Sequence, residues 1–222
     1  MNIEKDYKLL ELNQWLKSKK YLSNEDMLIG PYFRDQFETG HLLFTLARYK
    51  FASRQLEGNK FSVLEMGCND GFGTYSFLAG NAERVLGVDF DNVGIDYAKK
   101  NLKRENLEFV CDDFMGKIYG EFDVVVCFDV IEHIHRQKES EFIETICANL
   151  KEAGFAIIGT PNITSNQYSS RTSQEGHVNL FNHERLQRLL SNYFNNVFLF
   201  GMNDEMVHSG YKPMSHYLIA IA

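Results

Sequence analysis

The chain has 222 residues, a formal net charge of −7 at pH 7 and a hydrophobic content of 44%. Its length suits one α/β domain with a modest extension, and its acidic balance disfavours a nucleic-acid partner, because phosphate binding depends on lysine and arginine. No stretch approaches the roughly 20 apolar residues of a membrane span, and the first residues lack the apolar segment of a signal peptide, so we expect a cytoplasmic protein without a membrane span.

Residues 1–60 carry apolar side chains at helical spacing, first at Leu9, Leu12 and Leu16. We therefore expect an N-terminal helical segment over 1–60 and a main domain over 61–222.

Within the main domain, short β-type runs alternate with helical stretches, which predicts βαβ units. One predicted helix covers Glu141–Lys151, with Gly154 as its stop, and another follows an N-cap at Asn182. The predicted strands before the last helix are Val63–Leu64, Val85–Val88, Leu107–Val110, Phe122–Phe128 and Phe155–Gly159.

Two further strand-like runs, Val197–Phe200 and Tyr217–Ile221, close the chain. The polar segment between them has no helical pattern, and a parallel crossover usually needs a dozen or more residues with a helix. The two runs therefore cannot both be parallel to the other strands, and one antiparallel strand is predicted near the C-terminus.

A glycine-rich stretch, EMGCNDGFG at 65–73, follows the first predicted strand. A strand that turns into a helix in this way brings backbone N–H groups and the positive end of the helix to one point, where small ligands bind. The spacing of Gly67, Gly71 and Gly73 differs from the dinucleotide fingerprint and lacks the Gly-Lys-Ser/Thr ending of a phosphate-binding loop. A tight turn without a ligand is the alternative.

Acidic residues follow the next two predicted strands. Asp89 ends the second strand, where a carboxylate can accept hydrogen bonds from both hydroxyls of a ribose. Asp112 and Asp113 follow the third strand, where an acid could receive an adenine amino group. This combination favours an adenosine-type ligand, with a nicotinamide cofactor as the alternative.

Together, the segments 63–73, 87–89, 111–114 and 122–134 resemble class I S-adenosylmethionine-dependent methyltransferases. The resemblance extends over roughly residues 61–222. It implies an α/β, Rossmann-like sheet of seven mostly parallel strands with one antiparallel strand near the C-terminus and helices on both faces. It also implies S-adenosylmethionine as the cofactor and S-adenosylhomocysteine as the product.

The resemblance assigns cofactor contacts to residues around this site. Glu65 would support the glycine turn, the three glycines would surround the methionine part, Asp89 would bind the ribose and Asp112 would lie near the adenine. Cys68 could instead be a small filler, and Asp113 a turn cap. The full set is Glu65, Gly67, Cys68, Gly71, Gly73, Asp89, Phe90, Asp112, Asp113 and Asp129.

The segment after the fourth strand, from Asp129 to His135, should face the reacting methyl group, because ligands lie beyond the carboxyl ends of parallel strands. If it begins a helical turn, Asp129, Glu132 and His133 share one face. A further histidine, His177, stands in a later loop. Either His133 or His177 acts as a general base on the acceptor hydroxyl, or all four residues hold a divalent metal such as Mn or Mg. The alternative is that these side chains only brace the turn.

The segment Thr160–Phe181 resembles the variable substrate loop of methyltransferases that act on quinones, sugars and surface-glycan precursors. We expect O-methylation of a small polar acceptor, an oxygen of a sugar or of a sugar-linked phosphate group in surface-polysaccharide biosynthesis. Tyr168 and Arg171 could touch this acceptor. The N-terminal aromatic residues, Tyr32, Phe33 and Phe37, could shape its pocket or be core.

Several other functions are alternatives to this one. They are an N- or O-methyltransferase of another small metabolite such as a quinone, a metal-dependent RNA 2′-O-methyltransferase, and an inactive cofactor-binding module. The sequence leaves the oligomeric state open.

Overall fold

The computed structural model of the protein describes residues 39–222, apart from the side chains of 39–42 and 172. Most of the predicted N-terminal segment, including Tyr32, Phe33 and Phe37, therefore lies outside the described residues. The described part begins with helix α1, Thr39–Leu56.

One mixed sheet forms the centre of the fold, and its strands follow the order β3-β2-β1-β4-β5-β8-β6-β7. In chain order the strands are β1 Ser62–Met66, β2 Arg84–Asp89, β3 Leu107–Cys111, β4 Phe122–Phe128, β5 Leu150–Pro161, β6 Phe198–Asn203, β7 Met206–His208 and β8 Tyr217–Ile221. The first five strands pair in parallel, and β8 lies antiparallel between β5 and β6. The predicted α/β fold with an antiparallel C-terminal strand is confirmed. The sheet has eight strands rather than seven, because the short β7 pairs with β6 within the predicted polar segment.

Helices cover both faces of the sheet. They are α1, already given, then α2 Asn92–Asn101, α3 Glu139–Ala148, α4 Arg171–Gly176 and α5 His183–Leu190. A π-helical segment, Thr74–Leu78, follows the glycine turn. Single 3₁₀ turns cover Ile131–His133, Arg136–Lys138 and Lys212–Met214, and a longer one covers Ile163–Tyr168. The predicted substrate loop therefore contains a 3₁₀ turn and the short helix α4.

Alternate residues of each strand point to opposite faces, and this divides the core into two layers. One layer joins strand residues such as Leu64 and Val125 to the apolar faces of α3 and α5. The other joins Val63 and Val124 to α1 and to the π-helical segment. Ile95 of α2 packs on Phe109 of β3 in a smaller cluster. Among residues 39–222, no helix combines the length and apolar character needed to cross a bilayer.

The prediction of a helix over Glu141–Lys151 was wrong at its C-terminal end. Helix α3 ends at Ala148, and β5 begins at Leu150. Gly154 is not a helix stop but lies inside β5, next to a shift in register against β4. A Cβ at this position would lie 3.0 Å from the Phe122 carbonyl oxygen, so the close approach of two backbones favours glycine here. The predicted N-cap is confirmed, since Asn182 Oδ1 accepts a hydrogen bond of 2.8 Å from the Arg185 backbone N–H.

Candidate functional site

The glycine turn after β1 keeps its shape through contacts with protein side chains. Gly67 and Gly71 have φ values of +82° and +77°, in the left-handed region that favours glycine. Gly73 has an ordinary helical backbone with φ −65°. A Cβ on Gly73 would nevertheless lie 2.1 Å from the Tyr49 ring. Gly73 is therefore required by the packing of α1 against the turn, a reason that the sequence pattern did not reveal.

Glu65 braces this turn from below. Its side chain is fully buried and accepts hydrogen bonds of 2.5 Å from the Tyr49 hydroxyl and of 2.5 Å from the Thr74 hydroxyl. Burial raises the pKa of Glu65 to about 7, and the Asp89 carboxylate also raises it, although the two hydrogen bonds act in the opposite direction. One carboxyl group thus connects β1, α1 and the segment after the turn.

Asp89, at the end of β2, also contacts the glycine turn. Its Oδ2 accepts a hydrogen bond of 2.8 Å from the Asn69 backbone N–H, and its Oδ1 accepts one of 2.9 Å from the Asp91 N–H. The Asp89 carboxylate therefore joins the end of β2 to the glycine turn. Asn69 Oδ1 is buried and accepts no hydrogen bond from residues 39–222. An unsatisfied acceptor inside the turn fits a polar ligand there.

The remaining predicted cofactor residues occupy different environments. Phe90 is exposed beside Asp89, whereas Cys68 is buried under the turn, where burial raises the pKa of its thiol well above the usual range. The Asp112 carboxylate pairs with Lys117 and accepts a hydrogen bond of 3.0 Å from the Tyr119 hydroxyl. The Lys117 hydrogen bond lowers the pKa of Asp112.

Asp113 has a local contact. Its Oδ1 accepts a hydrogen bond of 3.2 Å from the Met115 backbone N–H. This bond, two residues along the chain, is that of a turn residue.

Asp129 directly follows β4 and has a left-handed backbone, with φ +56°. Its Oδ2 forms an ion pair of 2.7 Å with Arg48 Nη2 of α1. The Arg48 side chain is buried, and its guanidinium lies 4.6 Å from the centroid of the Tyr217 ring. Nothing in the local sequence pattern of α1 marks Arg48 as the partner of Asp129.

Three of the four predicted metal ligands come together after β4. Glu132, His133 and His177 each present a ligand atom, and these atoms all lie within 4.8 Å of one another. We call Glu132, His133 and His177 the Glu-His-His cluster. Asp129 lies outside this group, so its predicted part in a four-residue metal site stays a prediction. The chain turns into the 3₁₀ helix Ile131–His133 only after the left-handed Asp129, so Asp129 does not share the expected helical face.

A hydrogen bond orients the His133 imidazole, and burial acts on the His177 imidazole. His133 Nδ1 lies 2.9 Å from the Gly176 carbonyl oxygen, and a carbonyl can only accept, so Nδ1 carries a proton. His177 Nδ1 is buried and has no partner among residues 39–222. Burial, with a contribution from His133, lowers the pKa of His177 to about 4. The cluster therefore offers a neutral imidazole at His177, the form that binds metals.

Glu132 is fully buried, and only one of its carboxyl oxygens is satisfied. Oε2 accepts a hydrogen bond of 3.0 Å from the Thr160 hydroxyl, whereas Oε1 has no donor among the described residues. Burial raises the pKa of Glu132 well above its usual range, and Asp129 raises it further. A buried carboxyl with an open oxygen beside two imidazoles fits a divalent cation, which would supply the missing positive charge.

Two residues predicted to touch the acceptor lie on the surface. The side chain of Tyr168 is 83% exposed. The Arg171 guanidinium is also exposed and pairs with Glu175 at 2.8 Å, one turn along α4. No contact between these side chains and the Glu-His-His cluster is found among the described residues, so their role toward the acceptor stays a prediction.

The sequence is similar to those of known methyltransferases. A family profile described as "Methyltransferase domain" matches residues 14–196. A probable S-adenosylmethionine-dependent methyltransferase of Mycolicibacterium smegmatis is 31% identical over 100 residues, which cover 45% of this chain and 38% of the relative. A ubiquinone biosynthesis O-methyltransferase of Rickettsia felis is 31% identical over 125 residues, covering 54% and 49%. The matched regions thus span about half the length of these relatives or less.

Solved structures of similar fold cover nearly the whole chain. The plantazolicin methyltransferase BpumL in complex with SAH has a TM-score of 0.64 at 18% identity and covers 99% of this chain and 97% of that one. The N-methyltransferase NodS of Bradyrhizobium japonicum, also in complex with S-adenosylhomocysteine, has a TM-score of 0.63 at 16% identity over 94% and 97%. The methyltransferase domain of bacterial CtHen1-C has a TM-score of 0.63 at 18% identity over 81% and 97%. At these identities the likeness shows the fold.

Proposed function

The chain belongs to the methyltransferase-domain family, and from this premise we propose that it transfers a methyl group from S-adenosylmethionine to an oxygen of a small polar acceptor with the help of the Glu-His-His cluster. The predicted family, the class I S-adenosylmethionine-dependent methyltransferases, is thereby confirmed. The proposal concerns the acceptor, the residues that act and the need for a metal.

The residues around the glycine turn fit the cofactor. Asp89, at the end of β2 beside the glycine turn, would accept hydrogen bonds from the ribose hydroxyls, and the unsatisfied Asn69 Oδ1 would accept from a donor group of the ligand. The exposed Phe90 ring would pack on the adenine. Bound S-adenosylmethionine supplies the reactive methyl group on a positively charged sulfur.

The observation that carries the proposal is the Glu-His-His cluster at the end of β4. In open α/β sheets ligands bind beyond the carboxyl ends of the strands, so this cluster and the glycine turn face the same crevice. An imidazole with a lone pair can take the proton of an attacking hydroxyl, and alignment of acceptor, methyl and sulfur supplies the rest of the acceleration.

The same cluster would hold a divalent metal. Glu132 would supply a carboxyl oxygen, and His133 and His177 would each supply a ring nitrogen. Mixed carboxylate and imidazole ligands suit Mn, Fe, Co or Zn, and Mg binds where substrate oxygens complete the shell. The chemistry that a bound ion supplies is a lower pKa of the acceptor oxygen.

We propose a sugar hydroxyl, or an oxygen of a sugar-linked phosphate group, as the acceptor, in the biosynthesis of a surface polysaccharide. The net charge of −7 argues against a polynucleotide acceptor, and a hard divalent cation favours oxygen over nitrogen as the attacking atom. A second candidate is a quinone-type phenolic hydroxyl. It is favoured by the 31% identity to the Rickettsia felis ubiquinone biosynthesis O-methyltransferase.

The experiment measures transfer of the labelled methyl group from S-adenosylmethionine to a panel of acceptors, with Mn²⁺ and with a chelator. The panel contains nucleotide sugars, sugar phosphates, catechols and short RNA. Label on a sugar-containing product that is lost with the chelator supports the proposal. Label on catechol alone moves the second candidate to the front. Tight binding of S-adenosylhomocysteine without any product would indicate an inactive cofactor-binding module.

A further inference from the structure

The segment that carries His177 is joined to the turn that carries Glu132 and His133 at two points, one on each side of His177. Before it, the Gly176 carbonyl accepts a hydrogen bond of 2.9 Å from His133 Nδ1. After it, the Asn179 backbone N–H donates a hydrogen bond of 3.0 Å to the Glu132 carbonyl. Both hydrogen bonds therefore help to set the distances between the side chains of Glu132, His133 and His177.

The hydrogen bond from the Asn179 backbone to Glu132 is held more firmly than the other, because the Asn179 side chain is itself hydrogen-bonded on two sides. Asn179 is 4% exposed, and its Nδ2 donates a hydrogen bond of 3.1 Å to Glu139 Oε2. Its Oδ1 accepts one of 2.8 Å from Arg185 Nη2. Arg185 also pairs with Glu139. An amide that donates to a carboxylate and accepts from a guanidinium has only one satisfactory orientation.

Packed helices hold the two charged partners of Asn179. Glu139 is the first residue of α3, and Arg185 lies in the first turn of α5. The Arg185 guanidinium lies 3.9 Å from the centroid of the buried Phe181 ring, and its Nη1 donates a hydrogen bond of 2.9 Å to the Leu180 carbonyl. The position of Asn179 is thus determined by two elements of the core and not by the surface segment that contains it.

We infer that Asn179 is a positioning residue for the Glu-His-His cluster, and that Glu139 and Arg185 set its orientation. This inference rests on the proposed function, because it assumes that the cluster binds a metal. Residues that orient ligands typically change metal affinity by about 10- to 100-fold when they are replaced. Asn179 acts through the backbone at Glu132 and touches neither metal nor substrate.

The test is calorimetric titration of the full chain with Mn²⁺. In Asn179→Ala, Mn²⁺ affinity should fall by about 10- to 100-fold, while S-adenosylhomocysteine affinity stays at the wild-type value. In Glu139→Gln the side chain keeps an oxygen that can accept from Asn179 and Arg185, so Mn²⁺ affinity should be largely retained. Glu139→Ala should lose Mn²⁺ affinity. This second variant tests the inference if Asn179→Ala does not fold.

The matched control is Asn149→Ala. Asn149 is also fully buried and hydrogen-bonded through its amide, to the carbonyls of Lys117 and Thr145, but it lies beside the start of β4, whereas the cluster follows the end of β4. The Asn149→Ala variant should have a lower free energy of unfolding, and its Mn²⁺ affinity should match that of the wild type. Wild-type Mn²⁺ affinity in Asn179→Ala, or a loss no larger than that in Asn149→Ala, would overturn the inference.

A second readout separates this inference from the proposed function. Nitrogen NMR of labelled histidines in the metal-free protein should show His133 with its proton on Nδ1, and Asn179→Ala should convert it to a mixture of tautomers. If the wild type binds no Mn²⁺ but the tautomer responds, the metal role fails and the positioning role stands. If the tautomer is unchanged and Mn²⁺ affinity is unchanged or absent throughout, the positioning role fails.

Discussion

Arg48 of α1 and Asp129, the first residue after β4, form an ion pair of 2.7 Å that joins the helical layer to the edge of the sheet where the Glu-His-His cluster lies. Arg48 is buried and lies over the Tyr217 ring, whereas the Asp129 side chain is 37% exposed. The Asp129 carboxylate also acts electrostatically on Glu132 and His177 of the Glu-His-His cluster. It also places α1 beside the crevice where cofactor and acceptor would meet.

Removal of Arg48 should therefore destabilise the protein. We expect Arg48→Ala to lower the free energy of unfolding by about 2–3 kcal/mol, because a buried stem, a cation–π contact and an ion pair are lost together. Arg54→Ala is the control, since Arg54 is exposed and pairs with Glu57 on the surface of the same helix, where such pairs contribute about 0–1 kcal/mol. Urea denaturation measures both, and equal losses would contradict the structural role of Arg48.

Gly73→Ala tests the packing of α1 on the glycine turn. The backbone at Gly73 tolerates alanine, but the new Cβ would lie 2.1 Å from the Tyr49 ring, so we expect a loss of about 1–3 kcal/mol from overpacking. Gly80→Ala is the control, because no atom lies within 4 Å of a Cβ there. Thermal unfolding should separate the two variants, and a similar melting temperature for both would show that the Tyr49 ring moves away without cost.

The pH dependence of stability should contain a contribution from Glu65. Its pKa of about 7 in the folded protein lies above the ordinary value of 4.5, so the folded state keeps a proton that the unfolded state releases. Stability from this group is fully present below pH 4.5 and is lost as the pH rises through about 7, by roughly 3 kcal/mol in all.

The variant that checks this is Glu65→Gln, whose side chain cannot ionise. Its free energy of unfolding should decline less than that of the wild type between pH 4.5 and about 7. Denaturant titrations across this range measure the difference. Parallel curves for the two proteins would mean that Glu65 does not retain its proton.

Asp89→Ala should weaken cofactor binding, and this loss of affinity should exceed that of a control variant with the same loss of stability. Asp91→Ala is the matched control, since Asp91 is also buried and also accepts two backbone hydrogen bonds, from Val93 and Gly94. Both variants should lose about 1–2 kcal/mol of stability. Only Asp89→Ala should lower S-adenosylhomocysteine affinity, by roughly 10-fold or more, as the net loss of two hydrogen bonds predicts. Calorimetry would contradict the ribose contact if both variants bound equally.

His177→Ala should remove turnover and leave cofactor affinity nearly unchanged. Loss of a general base or metal ligand typically lowers turnover by about 10²- to 10⁴-fold. His183→Ala is the control, because His183 begins α5 and is not part of the Glu-His-His cluster. If His177→Ala weakened S-adenosylhomocysteine binding instead, the residue would belong to the cofactor site.

The sequence by itself determined the parts of this protein that contiguous residues encode. Alternating β-type and helical patterns gave the βαβ units, and the glycine stretch, Asp89 and the Glu132–His133 pair marked the carboxyl edges of β1, β2 and β4. Asn182 was identified as an N-cap for the same reason, since its bond to Arg185 spans only three residues. Local periodicity and turn chemistry are short-range properties, and they can be deduced without the fold.

Only the tertiary structure decided which distant residues meet. The fold pairs Asp129 with Arg48 and packs the Tyr49 ring against Gly73. It also brings the Tyr49 hydroxyl into a hydrogen bond with Glu65 and places Gly154 inside β5. It also fixes Asn179 between α3 and α5. These contacts join residues that are separated along the chain. They form in the folded state because the burial of apolar surface is favourable whatever the separation of the residues in the sequence.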